Sequence, residues 1–127
     1  MKVYCFGNEF VEEDSLAVKI SGKLNIRGIE FVRLNNPLEI AGITGQLIIL
    51  DVVSGLSEAR LFEDAEQFCS SPKNAHDIDL GFYLKLLREI GKLGKVKIIG
   101  IPQKGDEELI EKEVKKILNN LSAAATA

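Results

Sequence analysis

Short apolar runs alternate along this chain with longer stretches in which apolar residues recur every three or four positions. Lys2 to Phe6 (KVYCF) is a β-branched and aromatic run ended by Gly7-Asn8, which predicts a buried strand. Leu16, Ala17, Ile20 and Leu24 then have helical spacing, and Glu12, Glu13 and Asp14 open that segment where carboxylates complement the positive end of the helix dipole. Gly28 ends the segment, and Ile29 to Leu34 predicts a second strand closed by Asn35-Asn36-Pro37.

Gln46 to Val53 (QLIILDVV) is the clearest central strand, because a continuous apolar run needs cover on both faces, as in a parallel sheet. Ala59 to Phe62 predicts a short edge strand, and Glu63 to Ala75 has no sustained period and reads as a loop. Leu80, Leu84, Leu87 and Ile90 give a helix over Ile78 to Ile90 with one buried stripe, His76 or Asp77 lying near its N-cap. Val96 to Ile101 is a further strand, stopped by Pro102. Asp106 then caps a last helix whose Ile110, Val114, Ile117 and Leu121 face the sheet. The tail from 122 to 127 reads as a frayed or disordered end.

This alternation predicts a single domain over residues 1–127. Its fold class is α/β: three α/β/α layers around a mostly parallel sheet of about five strands. Right-handed crossovers bring the strand-to-helix loops to one rim, where open α/β folds bind ligands. A length of 127 residues is too small for two cores, and 46% hydrophobic with 28% charged residues is an ordinary globular balance. Sixteen basic against nineteen acidic residues leave a net charge of -3, which argues against a phosphate-neutralising surface and therefore against nucleic acid. No apolar run approaches a membrane span, and the N-terminus has no secretory h-region, so a soluble cytoplasmic protein is expected. Cys5 and Cys69 form neither a disulfide framework nor a CxxC pair, and Cys5 reads as a core residue.

Candidate chemistry gathers on that rim. Asp14 follows the first strand, Asp51 ends the central one, and His76, the only histidine, precedes a helix. Two carboxylates and an imidazole suit Zn, Ni, Mn or Fe and leave coordination positions open for exchange. HExxH, CxxC and GxSxG are all absent, which excludes a standard zincin, a zinc ribbon and a nucleophile-elbow serine hydrolase. Taken singly, Asp14 also fits a helix-terminal charge and His76 a capping surface residue. Asp51 is different: a charge inside LIILDVV costs several kcal/mol unless it is paired or reaches the rim.

Several segments carry a family resemblance. Phe6 to Val18 (FGNEFVEEDSLAV) resembles the N-terminal signature of hydrogenase maturation proteases, a Gly-Asn pair followed by a short apolar stretch, acids and a small-residue helix start. Leu47 to Val53 is similar to the family's apolar strand ending in Asp, Ser71 to Leu80 to its histidine opening a Leu-rich helix, and Val96 to Gln103 to the next strand. The match runs in order from about Lys2 to Leu121. By position, the family's nickel-contacting acid falls on Asp14, its second acid on Asp51 and its histidine on His76.

The resemblance implies an aspartyl-type endopeptidase that removes the C-terminal extension of a nickel-iron hydrogenase large-subunit precursor after nickel insertion. Nickel would be supplied by that precursor, and Asp14, Asp51 and His76 would be both its ligands and the catalytic set. The chain departs from the family after its second strand: an Asp-Gly-Gly-Thr-type turn is replaced by Arg33-Leu34-Asn35-Asn36-Pro37. That departure motivates an alternative, a non-cutting relative that binds the precursor or metal. A phosphoacceptor receiver domain fits less well, since Glu12 to Asp14 come late after the first strand and Gly100-Ile101-Pro102 stands where a receiver has Lys-Pro.

Overall fold

The computed structural model describes residues 1–6, 16–34, 39–40, 43, 46–53, 55–64, 68, 84–85, 87–89 and 95–126. Its elements are strand β1 (Lys2–Phe6), helix α1 (Leu16–Lys23), strands β2 (Glu30–Leu34), β3 (Leu47–Val52), β4 (Arg60–Phe62) and β5 (Val96–Ile101), and helix α2 (Glu107–Thr126). The five strands form one sheet in the order β2-β1-β3-β5-β4. β1 runs parallel to both β2 and β3, and β3 runs parallel to β5. β4 alone is antiparallel, on the outer side of β5.

The strand sequences explain this order. All six residues of β3 are buried, and β5 is buried except at Lys97, as strands covered on both faces must be. β2 and β4 mix exposed and buried positions and occupy the two edges. One face of the sheet packs Val3, Cys5, Ile48, Leu50, Ile99 and Ile101 against Leu16, Ala17 and Ile20 of α1 and Ile110, Val114 and Leu118 of α2. The opposite face packs Leu47, Ile49, Val53, Ile98 and Phe62 with Phe68 and with Leu84 and Leu87, which lie in helical backbone. This is the expected three-layer α/β/α fold with a mostly parallel five-stranded sheet. The remainder of the predicted helix over Ile78 to Ile90, and most of the predicted loop over Glu63 to Ala75, lie outside the described residues.

Local signals set the helix ends. Asp106 caps α2 through Oδ1, which accepts hydrogen bonds from the backbone N–H groups of Glu108 (3.0 Å) and Leu109 (3.4 Å). Gly28 adopts a φ of 84° in the turn from α1 into β2, and its carbonyl accepts a 2.8 Å hydrogen bond from the N-terminal ammonium of Met1. As expected, Ile110 and Val114 of α2 are buried against the sheet and Ile117 and Leu121 pack against the same cluster; Leu118, one step of four beyond Val114, joins them and is fully buried. One expectation needs correction. The segment expected to be a disordered tail is helical through Thr126, since alanine has the highest helix propensity and extends a helix already docked. No helix among the described residues is long and apolar enough to cross a membrane.

Candidate functional site

Of the three residues singled out by sequence, Asp51 is described and Asp14 and His76 lie outside the described residues. Asp51 is the penultimate residue of β3 and only 1% exposed, the one buried charged residue among those described. Its Oδ1 accepts a 2.9 Å hydrogen bond from the Val52 backbone N–H, which fixes the carboxylate close to its own main chain. Alternation along β3 puts the side chain on the face of Ile49 and Val53, away from α1 and α2.

The topology gives this position its significance. From β1 the chain crosses through α1 to β2 on one side, while β3 and β5 lie on the other, so the order reverses between β1 and β3. The crevice beyond the carboxyl ends at such a reversal is where open α/β sheets hold ligands. Asp51 sits at that end of β3, one residue beyond the Cys5–Leu50 register pair. Asp14 falls between β1 and α1 in the sequence, and Asp51 lies within β3, the strand next to β1. Among the described residues alone, no group of three or more His, Cys, Asp or Glu side chains could hold a metal ion.

Sequence reading missed what lies on the other flank. In the ladder between β3 and β5, Asp51 is opposite Gly100, and in the ladder between β5 and β4, Gly100 is opposite Arg60. The three residues form a row across three strands on one face. A Cβ on Gly100 would lie 2.8 Å from the Phe62 ring, 2.9 Å from Val53 Cγ2 and 3.0 Å from Leu56 Cδ1, so these side chains already fill the space. Phe62 is held edge to face against Phe68, with centroids 5.6 Å apart and planes at 89°. The Arg60 guanidinium stacks 4.8 Å from the Phe62 ring centroid. The sequence signal was the glycine itself: a Gly inside the apolar run of β5 marks a close approach by neighbouring groups.

Cys5, on the neighbouring strand, is removed from consideration as a nucleophile. Burial pushes its thiol up to about 12; a hydrogen bond with the Ser21 side chain works against this shift, and the nearby negative charge of Asp51 adds to it. A thiol so perturbed stays protonated near neutrality and is a core group. Cys69 lies outside the described residues.

No family model and no curated protein sequence matches the chain. Solved structures do. The hydrogenase maturating endopeptidase HybD from E. coli superposes with a TM-score of 0.67 at 18% identity, covering 98% of this chain and 94% of that one. The [NiFe] hydrogenase maturation protease HybD from Thermococcus kodakarensis gives 0.68 at 20% identity, over 95% and 99%. An uncharacterized protein from Wolinella succinogenes gives 0.55 at 14% identity, over 98% and 96%. Over nearly its whole length, this chain has the fold of the HybD hydrogenase maturation proteases, with the buried Asp51 at the carboxyl end of its central strand.

Proposed function

We propose that this protein is a hydrogenase maturation endopeptidase that removes the C-terminal extension of a nickel-iron hydrogenase large-subunit precursor once nickel has been inserted. The observation that carries this reading is the buried carboxylate of Asp51 at the topological reversal of a sheet whose fold is shared with two HybD proteases. A buried carboxylate in a strand interior is costly, and a ligand cation arriving at the rim offsets that cost.

In this reading nickel belongs to the substrate. Asp51, with Asp14 and His76, contacts the nickel of the precursor and so places the scissile peptide beside a carboxylate. Hydrolysis then needs a water activated either by the metal or by a carboxylate acting as general base. Water oxygen bonds to the peptide carbonyl carbon, the C–N bond breaks, and the leaving nitrogen takes a proton. Both partner and chemistry imply a cytoplasmic protein working before the large subunit is assembled.

The replacement of the glycine-rich turn by Arg33 to Pro37 favours one second reading, a relative that docks the precursor without cutting it. Intact mass spectrometry of nickel-loaded and nickel-free precursor, incubated with wild type, Asp51→Asn and His76→Ala, separates the two. A C-terminal mass loss that requires nickel, Asp51 and His76 is the expected result. Binding of the precursor without mass loss would replace the protease reading by the docking one.

A further inference from the structure

A solvent-open cavity of about 320 Å³ lies between the end of α1 and the side of α2, with Lys23, Leu24 and Ile26 on one wall and Glu111, Lys112 and Lys115 on the other. The backbone fixes its apolar wall. The Leu24 N–H donates to the Ile20 carbonyl (3.0 Å) and the Ile29 N–H to the Ile26 carbonyl (3.1 Å), while both side chains stay only partly buried against the core cluster shared by α1 and α2. The Glu30 N–H donates to the Met1 carbonyl (2.8 Å), which puts this turn beside the amino end of β1. Asp51 lies near the carboxyl end of β3 and on the opposite face of the sheet, so the cavity is separate from the candidate active site.

The charges around the cavity are unevenly matched. Lys23 pairs with Glu107, and the charges of Glu108 and Glu111 act on that same ammonium. Lys112 and Lys115 are exposed, three positions apart on one face of α2, and have no ion-pair partner among the described residues. In a chain of net charge -3, two such ammonium groups beside an apolar wall are a local reversal of sign. A cavity this small and open cannot enclose a whole organic ligand. It suits one apolar anchor side chain of a docking segment, with charges at the rim selecting the partner.

We propose that this cavity docks an acidic segment of a partner protein, seating one apolar side chain against Leu24 and Ile26 and the neighbouring carboxylates on Lys112 and Lys115. The inference goes beyond the protease reading and does not depend on it.

The test follows the Leu24 and Ile26 methyl resonances by carbon-edited NMR while a short capped peptide, one leucine between paired glutamates, is titrated into the protein. Saturable shifts at both residues are expected. Lys112→Gln/Lys115→Gln, whose exposed substitutions leave the fold intact, should weaken binding by at least about fivefold, and glutamine for glutamate in the peptide should do the same. Alanine in place of the peptide leucine should also weaken binding by at least about fivefold. No saturable shift, or equal binding by the double variant, would overturn the inference. Citrate binding as tightly as the peptide would make this a small-anion site, and shifts that grow with protein concentration alone would assign the cavity to a second copy of the chain; either result would also overturn it.

Discussion

Asp51 and Gly100 face each other across the ladder between β3 and β5, so the one buried charge among the described residues lies beside a residue with no side chain. The space that a Cβ would need at Gly100 is taken by Phe62, Val53 and Leu56. The glycine is therefore a packing requirement of the site flank. It lies within a strand and outside the turns.

Gly100→Ala should destabilise the protein by about 1–3 kcal/mol, the usual cost of forcing a methyl into a filled core. Leu56→Ala, added to it, should recover part of the loss, because Leu56 Cδ1 is the most peripheral of the three contacts. Urea denaturation midpoints of the two variants check this. An unchanged midpoint for Gly100→Ala would contradict the geometry.

Asp51→Asn keeps an oxygen able to accept the Val52 N–H bond, so the fold should persist with a stability change of about 1 kcal/mol or less. Asp51→Leu removes that acceptor and should cost about 1–3 kcal/mol. Cleavage of the precursor should fall by at least about 10²-fold in Asp51→Asn, since the amide neither binds a cation strongly nor accepts a proton. Wild-type cleavage by this variant would remove Asp51 from the mechanism.

Burial pushes the Cys5 thiol up from the ordinary 9.0 to about 12. A raised acid pKa means that the unfolded chain releases the proton first, so its stabilising effect is complete below about pH 9 and is lost as pH rises from there toward 12. Relative to Cys5→Ala, wild type should therefore lose about 1.4 kcal/mol of stability per pH unit above 9. Parallel stability curves for the two proteins would rule this out.

Lys23 and Glu107 form an exposed ion pair linking the end of α1 to the start of α2. The hydrogen bond and charge of Lys23 lower the Glu107 carboxyl, and those of Glu107 raise the Lys23 ammonium. The glutamate contribution is present above its unfolded value and is lost as pH falls through the lowered one. The lysine contribution is present below its unfolded value and is lost as pH rises through the raised one. A double-mutant cycle with Lys23→Ala and Glu107→Ala should show a small coupling that high salt removes.

Asp106→Ala should cost about 1 kcal/mol through loss of the α2 cap, and Asp106→Asn much less. Thermal denaturation of both variants decides whether the cap contributes as its geometry requires.

The apolar runs marked the strands along the chain. β1 and β5 have the bounds that their apolar runs predict, and β3 differs from Gln46–Val53 by one residue at each end. These matches arise because a buried parallel strand must be apolar along its whole length, a pattern few other structures produce. Asp51 was legible for the same reason, since a charge stands out against such a run. The cap at Asp106 was legible because it uses only bonds within three residues.

The remaining features come from packing between distant segments. The strand order, with β1 and β3 meeting at the reversal and β4 antiparallel at the edge, depends on pairings between segments far apart in sequence, which no local period encodes. The full burial of Leu118 beside the partly buried Ile117 follows from how α2 crosses the sheet, because both residues satisfy helical spacing from Val114. The row from Asp51 through Gly100 to Arg60 joins three strands at one register, so neither the slot nor the ring that fills it exists until the sheet has assembled.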